Sequence, residues 1–262
     1  MTKDTMHKGA PVTVSVVMPA YNAEQFVEQA IRSVMGQTIP SWELLVLDDC
    51  SLDRTCEIVE RLAAEDSRIL LLRNETNQGV AKTRNRGLDR CRGSYVAFLD
   101  SDDVWYPEKL ETQIELLKQE AADLTYCAYA VINQDGQQVK KDYLVPRSVG
   151  FEDLLKENVI GCSTVMLTEK VAKIYRFKED FYHEDYVLWL QILKDGYRAV
   201  GCREILAQWR YIENSRSFDK RRSARNRWRI YREYLELPPV KSAYFFTCYA
   251  LAGLKKYLGK HH

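Results

Sequence analysis

The chain has 262 residues, 46% hydrophobic and 29% charged, with 38 basic against 37 acidic side chains and a net charge of +1. That is enough apolar sequence to bury a sizeable core in one large domain or two closely joined ones, and the charge balance excludes a globally basic nucleic-acid binder. Seven scattered cysteines with no CxxC pair argue against a disulfide framework or a structural zinc site. They fit a reducing compartment. The polar opening MTKDTMHKGAP lacks the apolar core of a secretory signal, so a cytoplasmic protein is expected.

In chain order, VTVSVVM (Val12 to Met18) reads as a buried strand, followed by the turn PAYN (Pro19 to Asn22). Phe26, Val27, Ala30, Ile31 and Val34 recur at helical spacing, and ELLVLDD (Glu43 to Asp49) is a second strand. A second helix carries Ile58, Val59 and Leu62. RILLL returns as a strand, a third helix covers Val80 to Cys91, and YVAFL is the fourth strand. Alternating strands and helices predict an α/β fold: a Rossmann-like, mostly parallel central sheet with helices on both faces. Ligands in such sheets bind beyond the carboxyl ends of the strands. Three of those ends carry PAYN, DDCSLD (Asp48 to Asp53) and DSDD (Asp100 to Asp103).

Each of these polar residues also has a purely structural reading. Tyr21 fits a half-buried turn aromatic, Asp53 fits a cap for the helix after it, and Asp102 or Asp103 fits a cap for the helix that Pro107 opens. One cap explains one carboxylate, whereas DSDD has three. Adjacent carboxylates raise one another's pKa unless a cation compensates, and a hard oxygen site suits Mg2+ or Mn2+ with phosphate oxygens completing the shell.

The segments VSVVMPAYN, DDCSLD, NQGVAKTRNRGL, FLDSDD and HEDYVLWLQIL, in this order, resemble the inverting family 2 glycosyltransferases of GT-A fold, over roughly Val12 to Ser217. The resemblance implies a nucleotide-sugar donor, usually a uridine diphosphate sugar, and a divalent metal, Mn2+ or Mg2+. It puts Tyr21 against the base and Asp49 on the base edge. Asp100 then reaches the ribose or the metal, and Asp102 is the principal metal ligand. Pro19, Asn22, Ser51 and Ser101 fall in the same donor-binding segments. A carboxylate at position 49 would accept the imide N–H of uracil or thymine, with guanine also open. In NQGVAKTRNRG, Gly79 and Gly87 accompany Lys82, Arg84 and Arg86; Lys82 and Arg84 are weighed as phosphate contacts against a solvated face.

The second half is less regular. ADLTYCAYAVINQDGQQV reads as two strands about a turn and GCSTVMLT as another strand. FYHEDYVLWLQILKDGY reads as a buried helix beginning just after Glu184 and Asp185. Two acids at a helix start are stabilised by its dipole. The resemblance makes Asp185 the general base, with Glu184 orienting it or touching the acceptor. After the last strand, QWRYIENSRS has Ile212 where the family often has a histidine, leaving Arg210 and Ser215 as substitutes for a diphosphate contact. No apolar span of about 20 residues is present, and the Gln-x-x-Arg-Trp motif of the processive synthases is missing, so transfer of a single sugar is expected.

From Arg216 to Arg232 the chain has eight basic residues and one acid, followed by an aromatic run. A helical tail lying on an anionic membrane surface competes here with a tail packed on the body; no nucleic-acid motif accompanies the charge. The expected organisation is a nucleotide-sugar-binding half, 12–105, an acceptor-binding and catalytic half, 106–217, and a basic, aromatic tail, 218–262. The reading is a hexosyltransferase acting on a saccharide or polyprenyl-diphosphate-linked saccharide in surface polysaccharide or O-antigen assembly, at the inner face of the cytoplasmic membrane. Alternatives are a sugar-phosphate nucleotidyltransferase, against which the missing glycine-rich basic loop speaks, and a non-catalytic nucleotide-sugar-binding protein.

Overall fold

The computed structural model describes residues 12–212 and 219–258. Ser215, named above as a substitute contact, and the opening and closing segments lie outside the described residues. Strands β1 (Val14–Ala20), β2 (Trp42–Asp48), β3 (Ile69–Arg73) and β4 (Tyr95–Phe98) form the parallel half of one sheet, in the order β3-β2-β1-β4. Strands β1 and β2 are buried along their whole length, as central parallel strands covered on both faces must be. Alternate residues face opposite sides. Val17, Leu45, Leu47 and Phe98 enter one apolar cluster, whereas Val16, Met18, Val46 and Leu99 enter the other.

Helices α1 (Val27–Met35), α2 (Thr55–Glu65) and α3 (Val80–Leu88) connect these strands. Helix α1 buries Val27, Ala30, Ile31 and Val34, the stripe that a 3.6-residue period brings to one side. Helix α3 lies close on the sheet: a Cβ at Gly87 would come within 2.6 Å of Val17 Cγ1, so only glycine fits that approach.

Beyond β4 the sheet is mixed rather than parallel. Strands β5 (Val104–Trp105), β6 (Leu124–Ile132), β7 (Gln138–Tyr143), β8 (Met166–Thr168) and β9 (Ala199–Arg210) extend it in the order β4-β8-β6-β9-β5, with β7 on β6. Only the β6–β9 pairing among them is parallel. Helices α4 (Lys109–Gln119), α5 (Phe151–Lys156), α6 (Glu169–Ile174) and α7 (Glu184–Lys194) complete the body. The expected strand GCSTVMLT is a 3-10 turn, Cys162–Thr164, leading into β8. Side chains take up this turn's polar groups: Trp105 Nε1 donates to Ser163 O at 2.7 Å and Gln113 Nε2 to Thr164 O at 2.9 Å.

The tail folds back. Helix α8 (Lys220–Arg229) runs through a π-helical turn, Ile230–Tyr234, and is followed by α9 (Pro239–Leu258). Ile230, Tyr231, Leu235 and Phe245 are buried in the same cluster as Tyr186 and Trp189 of α7. The Arg227 guanidinium stacks on the Tyr186 ring at 3.6 Å. The packed alternative therefore describes α8 and the start of α9. Among the described residues no helix is long and apolar enough to cross a membrane.

Candidate active site

A cavity of about 580 Å³ opens where the carboxyl ends of β1, β2 and β4 meet the start of α7. Pro19, Tyr21, Asp49, Arg84, Asp100, Ser101, Asp102, Glu184, Asp185 and Arg210 all line it. Its floor follows from the strand register. Ala20 pairs with Asp48, and the ladder continues past the strand ends through Asp49 N donating to Ala20 O at 2.8 Å and Leu99 N to Val17 O at 3.1 Å. Residues 21, 49 and 100 thus arrive together. Tyr21 is 50% exposed.

Asp49 is held from several directions. Its Oδ1 accepts from Asn74 Nδ2 at 2.7 Å and Gln78 N at 2.8 Å, and its Oδ2 from Gly79 N at 2.8 Å. Burial alone would push its pKa up; these hydrogen bonds outweigh it and hold the carboxylate ionised below its ordinary range. Gly79, at φ +84, begins α3 in a conformation that a side chain would strain, which lets the N–H turn to Asp49.

The DSDD carboxylates divide their work. Asp103 is 2% exposed and turned into the protein, where Ser163 Oγ donates to Oδ2 at 2.5 Å and Arg210 N to Oδ1 at 2.9 Å. Burial, then the charges of Asp102 and Asp100, push its pKa well up. It joins the β4–β5 turn to β9 instead of facing the cavity. Neither Asp102 nor Asp103 caps the next helix, which begins at Lys109 with no side-chain cap. Asp53 accepts from Thr55 N and Thr55 Oγ1 and from Glu24 N, tying the α2 start to the β1 turn.

Asp100 and Asp102 face the cavity. Burial, then the Asp100 charge, raises the Asp102 pKa to about 6, with Arg210 and Arg84 offsetting only part. Asp185 is likewise pushed up to about 6 by burial and then by Glu184 beside it. Its Oδ1 accepts from Tyr186 N at 2.7 Å. The α7 N-cap is His183, with no side-chain cap bond, so Asp185 is a first-turn residue rather than the cap.

Arg84 joins these groups. Only 4% exposed, it donates through Nη2 to Asp100 at 2.5 Å and through Nη1 to Glu184 at 2.7 Å. These contacts make Arg84 a buried bridge between the β4 turn and α7 as well as a cavity-lining residue. Lys82 is exposed and absent from the cavity lining: the buried face of α3 runs through Ala81, Thr83, Arg84, Gly87 and Leu88, and position 82 points away. Asn22 and Ser51 also fall outside the lining. Asn22 N donates to Ser51 Oγ at 2.9 Å and Leu52 N to Asn22 Oδ1 at 2.9 Å, so the two side chains staple the first two turns together. Arg210 lines the cavity, but its guanidinium donates to Asp102 O, Asn133 O, Gln134 O and Gln29 Oε1, which leaves one of its five N–H groups for anything else. Sequence reading missed Asn77, Thr83, Cys162, Tyr182, His183 and Trp209 in the lining. Asn77 and Thr83 sit inside the NQGVAKTRNRG segment, His183 directly precedes the ED pair, and nothing local marks Trp209.

Five carboxylates line the cavity, Asp49, Asp100, Asp102, Glu184 and Asp185, against the guanidinium groups of Arg84 and Arg210. A cation beside these carboxylates would offset their repulsion of a phosphate ligand. No group of three or more His, Cys, Asp or Glu side chains is arranged to hold a metal among the described residues. The half-buried carboxylates of Asp100 and Asp102, with phosphate oxygens and water for the remainder, are the hard, incomplete donor set that Mg2+ and Mn2+ accept. The residues fit such an ion.

The match to the glycosyl transferase family 2 model covers residues 15–178, from β1 to the segment before α7. The chain belongs to glycosyl transferase family 2. It is 38% identical over 94% of its length, and 97% of the relative's, to a putative teichuronic acid biosynthesis glycosyltransferase, TuaG, of Bacillus subtilis. It is also 38% identical, over 93% of this chain and 94% of the relative, to WfgD of Escherichia coli, a UDP-Glc:alpha-D-GlcNAc-diphosphoundecaprenol beta-1,3-glucosyltransferase. Among solved structures it resembles S. aureus TarS 1-349 in complex with UDP-GlcNAc, with a TM-score of 0.72 at 21% identity over 91% of this chain and 72% of that one. A mannosyltransferase of Pyrobaculum calidifontis in complex with GDP-Man and Mn2+ gives 0.68 at 17% identity over 94% and 76%. These likenesses establish the GT-A fold, and membership of family 2 makes the chain a glycosyltransferase rather than a nucleotidyltransferase.

Proposed function

We propose that this glycosyltransferase moves a single hexose, with inversion, from a uridine diphosphate sugar to a saccharide carried on a polyprenyl diphosphate, at the cytoplasmic face of a membrane. The carrying observation is that Asp49, held ionised by hydrogen bonds, and the half-buried Asp185, whose pKa is raised to about 6, open into one cavity. The WfgD relative supports the donor and the acceptor class.

In this reading uracil stacks on Tyr21, and its imide N–H donates to Asp49, whose ionised oxygens retain accepting capacity. Asp100 and Asp102 would hold a divalent cation, Mn2+ or Mg2+, which would supply charge neutralisation for the leaving diphosphate. Asp185 takes the proton of an acceptor hydroxyl as its oxygen bonds to the anomeric carbon, while the bond from that carbon to the diphosphate breaks and uridine diphosphate leaves. Arg84 holds Glu184 beside the base. Residues 12–105 serve the donor and 106–217 the acceptor, and both halves contribute to one continuous sheet. The test is a panel of nucleotide sugars with Mn2+, scored for hydrolysis and for transfer to a diphosphate-linked acceptor. Turnover of uridine diphosphate sugars is expected, and turnover confined to another nucleotide would overturn the donor assignment.

A further inference from the structure

Helix α9 has two unlike faces. On the inner one Phe245 is buried in the core, Phe246 meets the Trp228 ring edge-on with centroids 5.7 Å apart, and Arg227 lies over Tyr249 at 4.6 Å. The outer face presents Val240, Tyr244, Leu251 and Leu254, which are 82%, 57%, 54% and 55% exposed. Their positions recur at helical spacing and so form one stripe along the helix. A surface helix ordinarily turns polar residues outward. Here Lys241 is the one charged residue from Val240 to Leu254, and an exposed apolar stripe of this length marks a contact surface.

The neighbouring α8 indicates what the stripe meets. It exposes Arg221, Arg222 and Arg225, and Trp228 is 41% exposed at its junction with α9. No acidic residue lies between Lys220 and Arg232. Apolar side chains at the acyl boundary with cations near the headgroups are what an interfacial helix offers an anionic bilayer. Pairing two copies through the same face would bring like-charged helices toward each other, which costs energy.

We propose that the outer face of α9, together with the arginines of α8, docks this enzyme on an anionic lipid surface, an inference that rests on the reading of a lipid-carried acceptor. The same α8 also grips the proposed catalytic turn. Tyr182 N donates to Asn226 Oδ1 at 3.0 Å, and His183 Nε2 lies 3.1 Å from Ser223 Oγ, immediately before Glu184 and Asp185. One helix therefore orients the cavity mouth relative to the lipid.

The test is co-sedimentation of the full chain with vesicles of phosphatidylglycerol and phosphatidylcholine, or of phosphatidylcholine alone, for wild type and the double variant Tyr244→Glu, Leu251→Glu. Both positions are exposed, so the variant folds, which unchanged uridine diphosphate affinity verifies. Wild type is expected on the anionic vesicles, with weaker binding in high salt. The variant is expected to bind at least roughly tenfold less, given the apolar surface it withdraws from the bilayer. Wild type remaining in the supernatant, or a variant that binds as well, would overturn the proposal. So would a wild-type dimer that the variant loses, without lipid binding, since a second copy would then be the occupant. The assay uses neither donor sugar nor acceptor, so its failure is distinguishable from failure of the transfer reading.

Discussion

The two sides of the cavity treat the same functional group in opposite ways. Asp49 receives three hydrogen bonds and is held ionised below its ordinary range, whereas Asp102 and Asp185 are half-buried beside other carboxylates and rise to about 6. A carboxylate whose negative form is already satisfied is a fixed acceptor, suited to a neutral N–H. One that is charged at cost gains most from a cation or a proton. In the proposed function this difference assigns the nucleobase to Asp49, the metal to Asp100 and Asp102, and the acceptor proton to Asp185.

The largest effect is expected from Asp185→Asn, which keeps the size but cannot accept a proton. Transfer falls by about 10²-fold or more while uridine diphosphate affinity stays put. Side-by-side transfer assays and calorimetry check this, and near-normal transfer would remove Asp185 as the base. Next is Asp102→Ala. Losing a ligand should weaken Mn2+-dependent nucleotide binding by at least about 10 to 100-fold, the scale on which even outer partners of a metal act. Asp49→Asn is milder: the lost charge-assisted hydrogen bond, worth roughly 1.5–3 kcal/mol, lowers uridine diphosphate affinity roughly tenfold or somewhat more.

The smallest effect concerns pH. Because the Asp185 pKa is raised to about 6, its base form dominates above that value and is lost below it. The transfer rate should therefore climb through about pH 6 and level off toward neutrality, with roughly half the plateau rate near the pKa. A profile flat down to about pH 4.5, where an unperturbed carboxylate would still be ionised, would contradict the buried environment assigned to Asp185.

Much of this arrangement is legible in the sequence because it is local. Strands ending in PAYN, DDCSLD and DSDD must deliver their turns to one edge of a parallel sheet, and Tyr21, Asp49, Asp100 and Asp102 all reach the cavity. Lys82, weighed from the sequence as a phosphate contact, points away because the structure buries Thr83 and Arg84 instead, and the helical period of α3 alone does not say which face is buried. What stays hidden depends on distant partners. Arg84 meets Glu184 a hundred positions on, Asp103 meets Ser163 and the Arg210 backbone, and Asn22 meets Ser51. Charge and spacing alone cannot separate such residues from ligand contacts. The tail is illegible for a related reason: Arg227, basic in the sequence, is 6% exposed on the Tyr186 ring, while the uncharged face of α9 is the one left open.

The most direct test of the contrast across the cavity is calorimetry of uridine diphosphate with and without Mn2+ for wild type, Asp49→Asn and Asp102→Ala. Binding to Asp49→Asn is expected to weaken yet keep the wild-type ratio between affinities with and without metal, while in Asp102→Ala that ratio collapses toward one. Equal loss of metal dependence in both variants, or its survival in Asp102→Ala, would contradict the division of base and metal between the two sides.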